Sequence, residues 1–250
     1  MANEKLFTGK AENYSNARPG YSEEFFKYFK SFVTDKTKIA DIGSGTGKFT
    51  KQLLNLGATV YAVEPNYDMR KECEKNLSDF DKFISVDGCD KNFNIAPESV
   101  DFITAAQAFH WFDKDAFKKE CVRVLKENGS VVLIWNFRDL KDESVIENAK
   151  ANEKYCPNFT GFSGGKRFDI KSALDGFFSE KPKILEFENN LFYTKEKFIK
   201  RNLSSSYAID KSDSNYDNYI SLLEKIFDKY NKDNLLKVPN ITTAYIGKVK

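Results

Sequence analysis

An aspartate two residues ahead of three alternating glycines is the first feature of this chain able to hold a ligand. The run is Asp41-Ile42-Gly43-Ser44-Gly45-Thr46-Gly47. Apolar residues begin before it at Ile39, and helical spacing follows at Phe49, Leu53 and Leu54. A strand that turns through glycines into a helix gathers N–H groups and a positive dipole end at one point. Glycine reaches positive φ cheaply and lets a ligand approach the backbone closely. This is a loop for a nucleotide-type ligand, and its spacing excludes two kinds. A phosphate loop needs Gly-x-x-x-x-Gly-Lys-Ser/Thr, but Ile42 stands five before Gly47 and Phe49 follows Lys48. A dinucleotide fingerprint needs its third glycine where Lys48 stands. An acid at position 41 would repel a pyrophosphate and can instead receive an ammonium group.

Asp-x-Gly-x-Gly-x-Gly resembles motif I of the class I S-adenosylmethionine-dependent methyltransferases. The resemblance implies S-adenosylmethionine as cofactor and S-adenosylhomocysteine as product. Gly43, Ser44, Gly45 and Gly47 would then form the cofactor loop, with Asp41 receiving the cofactor ammonium directly or through water. Glu64 ends the strand-like Thr59-Val60-Tyr61-Ala62-Val63, and Pro65 stops the strand behind it. An acid there, about twenty residues past the glycines, can accept from both ribose hydroxyls; a surface glutamate is the plain alternative. Residues 82–86 read as a third strand leading into Asp87-Gly88-Cys89-Asp90, the turn that contacts adenine in the family. Backbone amides and one carboxylate, of Asp87 or of Asp90, would read the ring, or either acid could be a turn residue holding its own backbone. Upstream, Tyr14-x-x-x-Arg18-Pro19 resembles the flap that closes over the cofactor. Arg18 would meet the cofactor carboxylate and Tyr14 would shut out water; a solvated charge and a core-edge ring are the plain alternatives.

A fourth strand, 99–106, is nearly all small or apolar, as a strand buried on both faces should be. It opens into Gln107-Ala108-Phe109-His110-Trp111-Phe112-Asp113. Ligands of an open α/β sheet sit outside the carboxyl ends of its strands. This segment resembles the motif of a methyltransferase subgroup that includes trans-aconitate methyltransferases. The resemblance puts Gln107 and Ala108 on the cofactor, and His110 and Trp111 near the acceptor. His110 is the single histidine. It could act as general base, or pack with Trp111 against the cofactor's methionine chain and orient the loop. An ionised carboxylic acid acceptor would need no base, and Arg18, Arg138, Arg167 or Arg201 could clamp it. Trp135, Asn136 and Arg138 follow at the tip of strand five, 130–135, on the substrate side, although Trp135 can equally be a core ring.

The elements that must position these residues alternate. A helix is predicted from Ser22, burying Phe25, Phe26, Phe29 and either Phe32 or Val33. A second covers 69–77. A third buries Phe117, Cys121, Val124 and Leu125 and closes on Gly129 as its C-cap. Residues 139–182 read as mixed, with turn signals at Pro157-Asn158, Gly161 and Gly164-Gly165. A strand over 183–193, helices over 195–203 and 216–230, and a last strand over 242–249 complete the chain. The predicted fold is α/β: a Rossmann-like, seven-stranded, doubly wound sheet, last strand antiparallel, with a C-terminal lid or insertion. Its segments are a cofactor-covering stretch and helix (1–34), the cofactor-binding core (35–138), and a substrate-side insertion with the final strands (139–250).

Composition limits the partners. With 250 residues, 41% hydrophobic and 15% aromatic, the chain can fill a sizeable core. A net charge of +2, from 39 basic and 37 acidic residues, argues against an extended nucleic-acid surface. Strand four also lacks an Asn-Pro-Pro-Tyr type motif. A small-molecule acceptor is therefore expected ahead of RNA or protein, while a non-catalytic cofactor-binding scaffold stays open because fold does not license activity. One histidine and four dispersed cysteines (Cys73, Cys89, Cys121, Cys156) argue against a zinc site and for free thiols in a reducing cytoplasm. No secretory signal or membrane span is read, and a monomer or homodimer is expected.

Overall fold

A computed structural model describes residues 20–162, 169–205 and 207–250. Tyr14, Arg18 and Arg167 lie outside the described residues. Helix α1 (Glu23–Lys30) precedes β1 (Lys38–Ile42), α2 (Lys48–Asn55), β2 (Thr59–Val63), α3 (Tyr67–Asn76), β3 (Phe83–Val86) and β4 (Val100–Ala106). A short 3-10 turn (Phe109–Trp111), α4 (Lys114–Val124) and β5 (Leu125–Arg138) follow. The sheet has seven strands in the order β3-β2-β1-β4-β5-β9-β6, where β6 is Lys183–Glu188 and β9 is Asn240–Gly247. The pairs β1·β2, β1·β4, β2·β3 and β4·β5 are parallel, and the last strand is antiparallel. The sheet is the Rossmann-like one expected. Strand order reverses between β1 and β4, so the crevice outside their carboxyl ends is where such sheets take ligands.

Local chemistry explains the elements. β1 buries every residue after Lys38, as a strand covered on both faces must. α1 buries Phe25, Phe26 and Phe29, and Phe29 meets Phe102 of β4 edge-on at 5.1 Å. Val33, not Phe32, completes that face. Each such buried ring contributes about 1.5–3 kcal/mol. The Asn66 side chain accepts from Met69 N–H and starts α3; Asp113 does the same for α4 through Ala116.

Two stretches differ from expectation. α4 ends at Val124, with Leu125 already extended, so Gly129 does not cap it. Leu125 pairs with Val100 and Ser130 with Phe102, and Glu127-Asn128-Gly129 lie within the register shift between these pairs. Gly129 is glycine for space: a Cβ there would stand 2.7 Å from Leu125 Cδ2 and 3.1 Å from the Asp101 carbonyl. The predicted strand over 183–193 divides into β6 and a short β7 (Leu191–Tyr193), which pairs antiparallel with β8 (Leu236–Val238).

The chain forms two compact units. The first holds the described residues through Trp135, with Ile170–Phe187 and Thr242–Lys250. The second holds Asn136–Asp169 and Glu188–Ile241. The second unit contains α5 (Glu143–Tyr155), α7 (Lys195–Leu203) and α8 (Tyr216–Tyr230), while the short α6 (Ile170–Leu174) belongs to the first. Its core gathers Val145, Ala151, Phe198, Tyr219, Leu223, Ile226 and Phe227.

Gly47 shows how tightly the first unit is built. It takes φ +83° at the head of α2, and a Cβ would stand 2.7 Å from Cys73 Sγ and 2.8 Å from Leu77 Cδ1. Gly47→Ala is expected to cost about 2–5 kcal/mol, from left-handed strain plus overpacking. Urea unfolding of the two proteins would measure it.

Candidate functional site

The glycine loop spends most of its amides inside the protein. Gly43 and Ser44 N–H donate to the Val63 carbonyl at 2.9 and 3.2 Å, and Gly47 N–H to the Ser44 carbonyl at 3.0 Å. Gly45 N–H donates to Glu64 Oε2 at 2.9 Å. A phosphate cradle needs those N–H groups aimed at the ligand, so the loop geometry agrees with the spacing in rejecting one. Gly45 takes φ +57°, and a Cβ on it would meet nothing within 4 Å among the described residues, which leave the loop's crown open to a ligand. Gly43, at φ +70°, is closed: its Cβ would stand 2.8 Å from Ala108 Cβ, which brings the loops after β1 and β4 together.

Asp41 sits beneath this loop, 1% exposed. Its carboxylate oxygens accept from Thr50 Oγ1 of α2 at 2.6 Å and Thr104 Oγ1 of β4 at 2.8 Å. Burial raises the Asp41 carboxyl to about 6, against those two hydrogen bonds, and the nearby Glu64 charge pushes the same way. Desolvation first, then the Asp41, Glu64 and Glu74 charges, push the Cys73 thiol up to about 12, so it is no nucleophile. Thr50 and Thr104 were not singled out in the sequence. A hydroxyl one helical turn into α2 and another within an apolar strand carry no spacing signal of their own.

Glu64 stands at the tip of β2. Oε1 accepts from Asn66 N–H at 2.9 Å and Oε2 from Gly45 N–H, so one carboxylate ties the glycine loop to the turn after β2. Arg70, also unmarked in the sequence, donates through Nη1 to the Glu64 carbonyl at 2.7 Å and ion-pairs through Nη2 with Asp87 at 3.1 Å. It joins the tips of β2 and β3. Asp87 keeps 72% of its side chain exposed, whereas Asp90 Oδ2 accepts from Asp113 N–H at 2.7 Å. Between them, the Cys89 N–H is bound to the Asn92 carbonyl at 2.9 Å. Gly88 has no room for a Cβ, which would stand 2.8 Å from the Phe93 carbonyl.

Past β4, Gln107 adopts φ +56°, rare for a residue with a side chain, and its N–H donates to the Ile134 carbonyl at 2.9 Å. That turn leads into the 3-10 segment, where the His110 and Trp111 rings lie 4.9 Å apart at 44° and Trp111 is 47% exposed. Trp135 is a core ring, 1% exposed and edge-on to Phe109 and Tyr245 at 6.2 and 5.8 Å. The first unit therefore brings Asp41, the glycine loop, Glu64, the 87–90 turn, Gln107 and Ala108 to adjoining strand ends. Asn136 and Arg138 belong to the second unit. Asn136 is buried and accepts from Asn189 Nδ2 at 3.2 Å, and the Arg138 guanidinium lies 3.8 Å over the Phe162 ring. Among the described residues there is no cluster of three metal-ligating side chains and no helix long and apolar enough to cross a membrane.

Known proteins agree with this geometry. The sheet resembles that of a methyltransferase from Anaeromyxobacter dehalogenans, with a TM-score of 0.64, 15% identity, and coverage of 93% of this chain and 98% of that one. Residues 40–133 match the family model described as a methyltransferase domain. An uncharacterised methyltransferase of Geobacillus sp. (strain WCH70) is 33% identical over 204 residues, covering 75% of this chain and 92% of the relative. The chain belongs to the class I S-adenosylmethionine-dependent methyltransferases. Against methyltransferase relatives from Dictyostelium discoideum and Schizosaccharomyces pombe the aligned part spans 55% and 65% of their length.

Proposed function

We propose that this protein transfers a methyl group from S-adenosylmethionine to a small-molecule acceptor, and that the acceptor is a carboxylic acid methylated on oxygen. One observation carries the cofactor half: a glycine loop with its amides turned inward and its crown open, flanked by the carboxylates of Asp41 and Glu64. Such a loop suits a cationic adenosyl ligand and not a phosphate. Asp41 would offer charge to the ammonium and Glu64 would accept from the ribose hydroxyls. Asp87, more exposed than Asp90 and free of Asp90's bond to Asp113, is the carboxylate that would read adenine.

The cofactor, when bound, supplies an electrophilic methyl on a sulfonium whose leaving group is a neutral thioether. The protein's task is then to align the acceptor and keep water out. The residues after β4 are suited to this, since Gln107 turns the chain at positive φ and the His110–Trp111 pair presents two ring faces tilted 44° to one another. With an ionised acid as nucleophile no proton has to be removed. His110 accordingly orients the loop and is not a base. His110→Ala is expected to keep turnover within about tenfold, with an unchanged pH profile between about pH 6 and 9. Loss of more than about a hundredfold, together with one limb of the profile, would make it the base.

The direct experiment uses methyl-labelled S-adenosylmethionine with a panel of carboxylic acids, amines and phenols, and with RNA and protein. Label in a base-labile ester of a small acid is the expected result. Label in RNA or protein would overturn the small-molecule reading, and no transfer despite tight cofactor binding would make the chain a scaffold.

A further inference from the structure

Among the described residues of the second unit, no acid neutralises Arg138. Arg138 is half-buried as a residue, yet its Nη1 is sealed from solvent and has no hydrogen-bond partner. Its guanidinium lies over Phe162 at 3.8 Å; Phe162 meets Phe159 edge-on at 5.1 Å, and Phe159 meets Tyr207 edge-on at 4.8 Å. This aromatic wall is only partly buried, as is Tyr193. Among the described residues Arg201 of α7 has a single long hydrogen bond, Nη1 to Ser205 Oγ at 3.4 Å. No acid pairs with either arginine among the described residues, and neither the Tyr193 nor the Tyr207 phenol is hydrogen-bonded there.

The electrostatics agree with the geometry. Burial first, and then the Arg201 charge, bring the Arg138 guanidinium down to about 10, while Tyr207, Tyr193 and Tyr219 act in the opposite sense. Tyr219 is spoken for, donating to Asn152 Oδ1 at 2.6 Å. A buried, unpaired guanidinium is costly. The Arg201 charge adds to that cost. An incoming oxyanion would relieve both.

We propose that the second unit carries a binding site for an organic carboxylate, with Arg138 as its principal ligand, Arg201 and the Tyr207 and Tyr193 hydroxyls as further donors, and Phe159 and Phe162 as its apolar wall. A guanidinium fork matches a planar carboxylate with two parallel hydrogen bonds. The rings favour a carboxylate with an apolar body over a free inorganic anion. The acceptor acid is the natural occupant, and in that clause alone the inference rests on the reading above.

The test is calorimetric titration of the full chain, without cofactor, with acetate, benzoate, succinate and inorganic phosphate at constant ionic strength. Benzoate or succinate should bind at least tenfold more tightly than phosphate. Arg138→Met should abolish this binding and leave S-adenosylmethionine affinity unchanged; Tyr207→Phe, a milder change, should weaken it severalfold. Unliganded Arg138→Met should unfold at the same or a higher temperature than the parent. Equal binding by parent and Arg138→Met, preference for phosphate, or an unliganded Arg138→Met that melts well below the parent would each overturn the proposal. The last result would make Arg138 a structural member of the core. Carboxylate binding without label transfer to any acid would leave this site standing and remove the carboxylic-acid acceptor.

Discussion

Glu64→Ala is expected to weaken S-adenosylmethionine binding by roughly thirty- to a thousandfold, the equivalent of about 2–4 kcal/mol. The carboxylate does two jobs that the substitution removes together. It would accept from the ribose, and it holds Gly45 N–H and Asn66 N–H at 2.9 Å each, fixing the loop after β1 against the turn after β2. Glu64→Gln separates the two contributions. It keeps one acceptor oxygen and exchanges the other for a donor facing a backbone N–H, so it should disturb the loop more than its size indicates. Calorimetry with the cofactor, alongside thermal melts of the unliganded variants, gives both numbers. Unchanged affinity in Glu64→Ala would remove the ribose assignment.

Asp41→Asn is expected to reverse sign between the unliganded and liganded protein. The folded-state carboxyl is raised from 3.8 to about 6 by burial. A raised acid favours the folded state when protonated. That contribution is complete below about pH 4 and is lost as pH climbs through about 6. Unliganded wild type should therefore lose up to about 3 kcal/mol relative to Asp41→Asn between those limits. Above pH 6 the asparagine variant should melt at the higher temperature. An ammonium arriving beside the ionised carboxylate recovers that cost, so cofactor should stabilise wild type more at pH 7.5 than at pH 5 and the variant by the same smaller amount at both. Melts from pH 4 to 8, with and without cofactor, would check it. Parallel curves for the two proteins would show that Asp41 titrates normally.

The parts of the fold legible in the sequence are those where one physical demand acts on a short stretch. β1, β2 and β4 are covered on both faces and read as apolar runs, while α1 and α8 display their buried aromatics at helical spacing. The helix α5 was illegible because its buried face carries Ser144, Asn148 and Asn152 beside Val145 and Ala151. Those asparagines are satisfied by each other and by Tyr219 from α8, a partnership 67 residues distant. The bulge after α4 was hidden for a related reason: Asn-Gly after a helix also spells a C-cap, and only the space beside Asp101 decides otherwise. At the site, the glycines and acids announced themselves by spacing. Thr50, Thr104 and Arg70 did not: Thr104 reaches Asp41 across the sheet, while Thr50 and Arg70 reach back over the turns that follow β1 and β2.

The central claim is that the loop from Asp41 to Gly47 and the Glu64 carboxylate are built for an adenosyl sulfonium. Isothermal titration with S-adenosylmethionine, S-adenosylhomocysteine, NAD and ATP tests it most directly. Binding of the first two at one site per chain, weakened by Glu64→Ala, with neither NAD nor ATP bound, is the predicted result. Tight binding of NAD or ATP with no heat from either adenosyl thioether compound would contradict it.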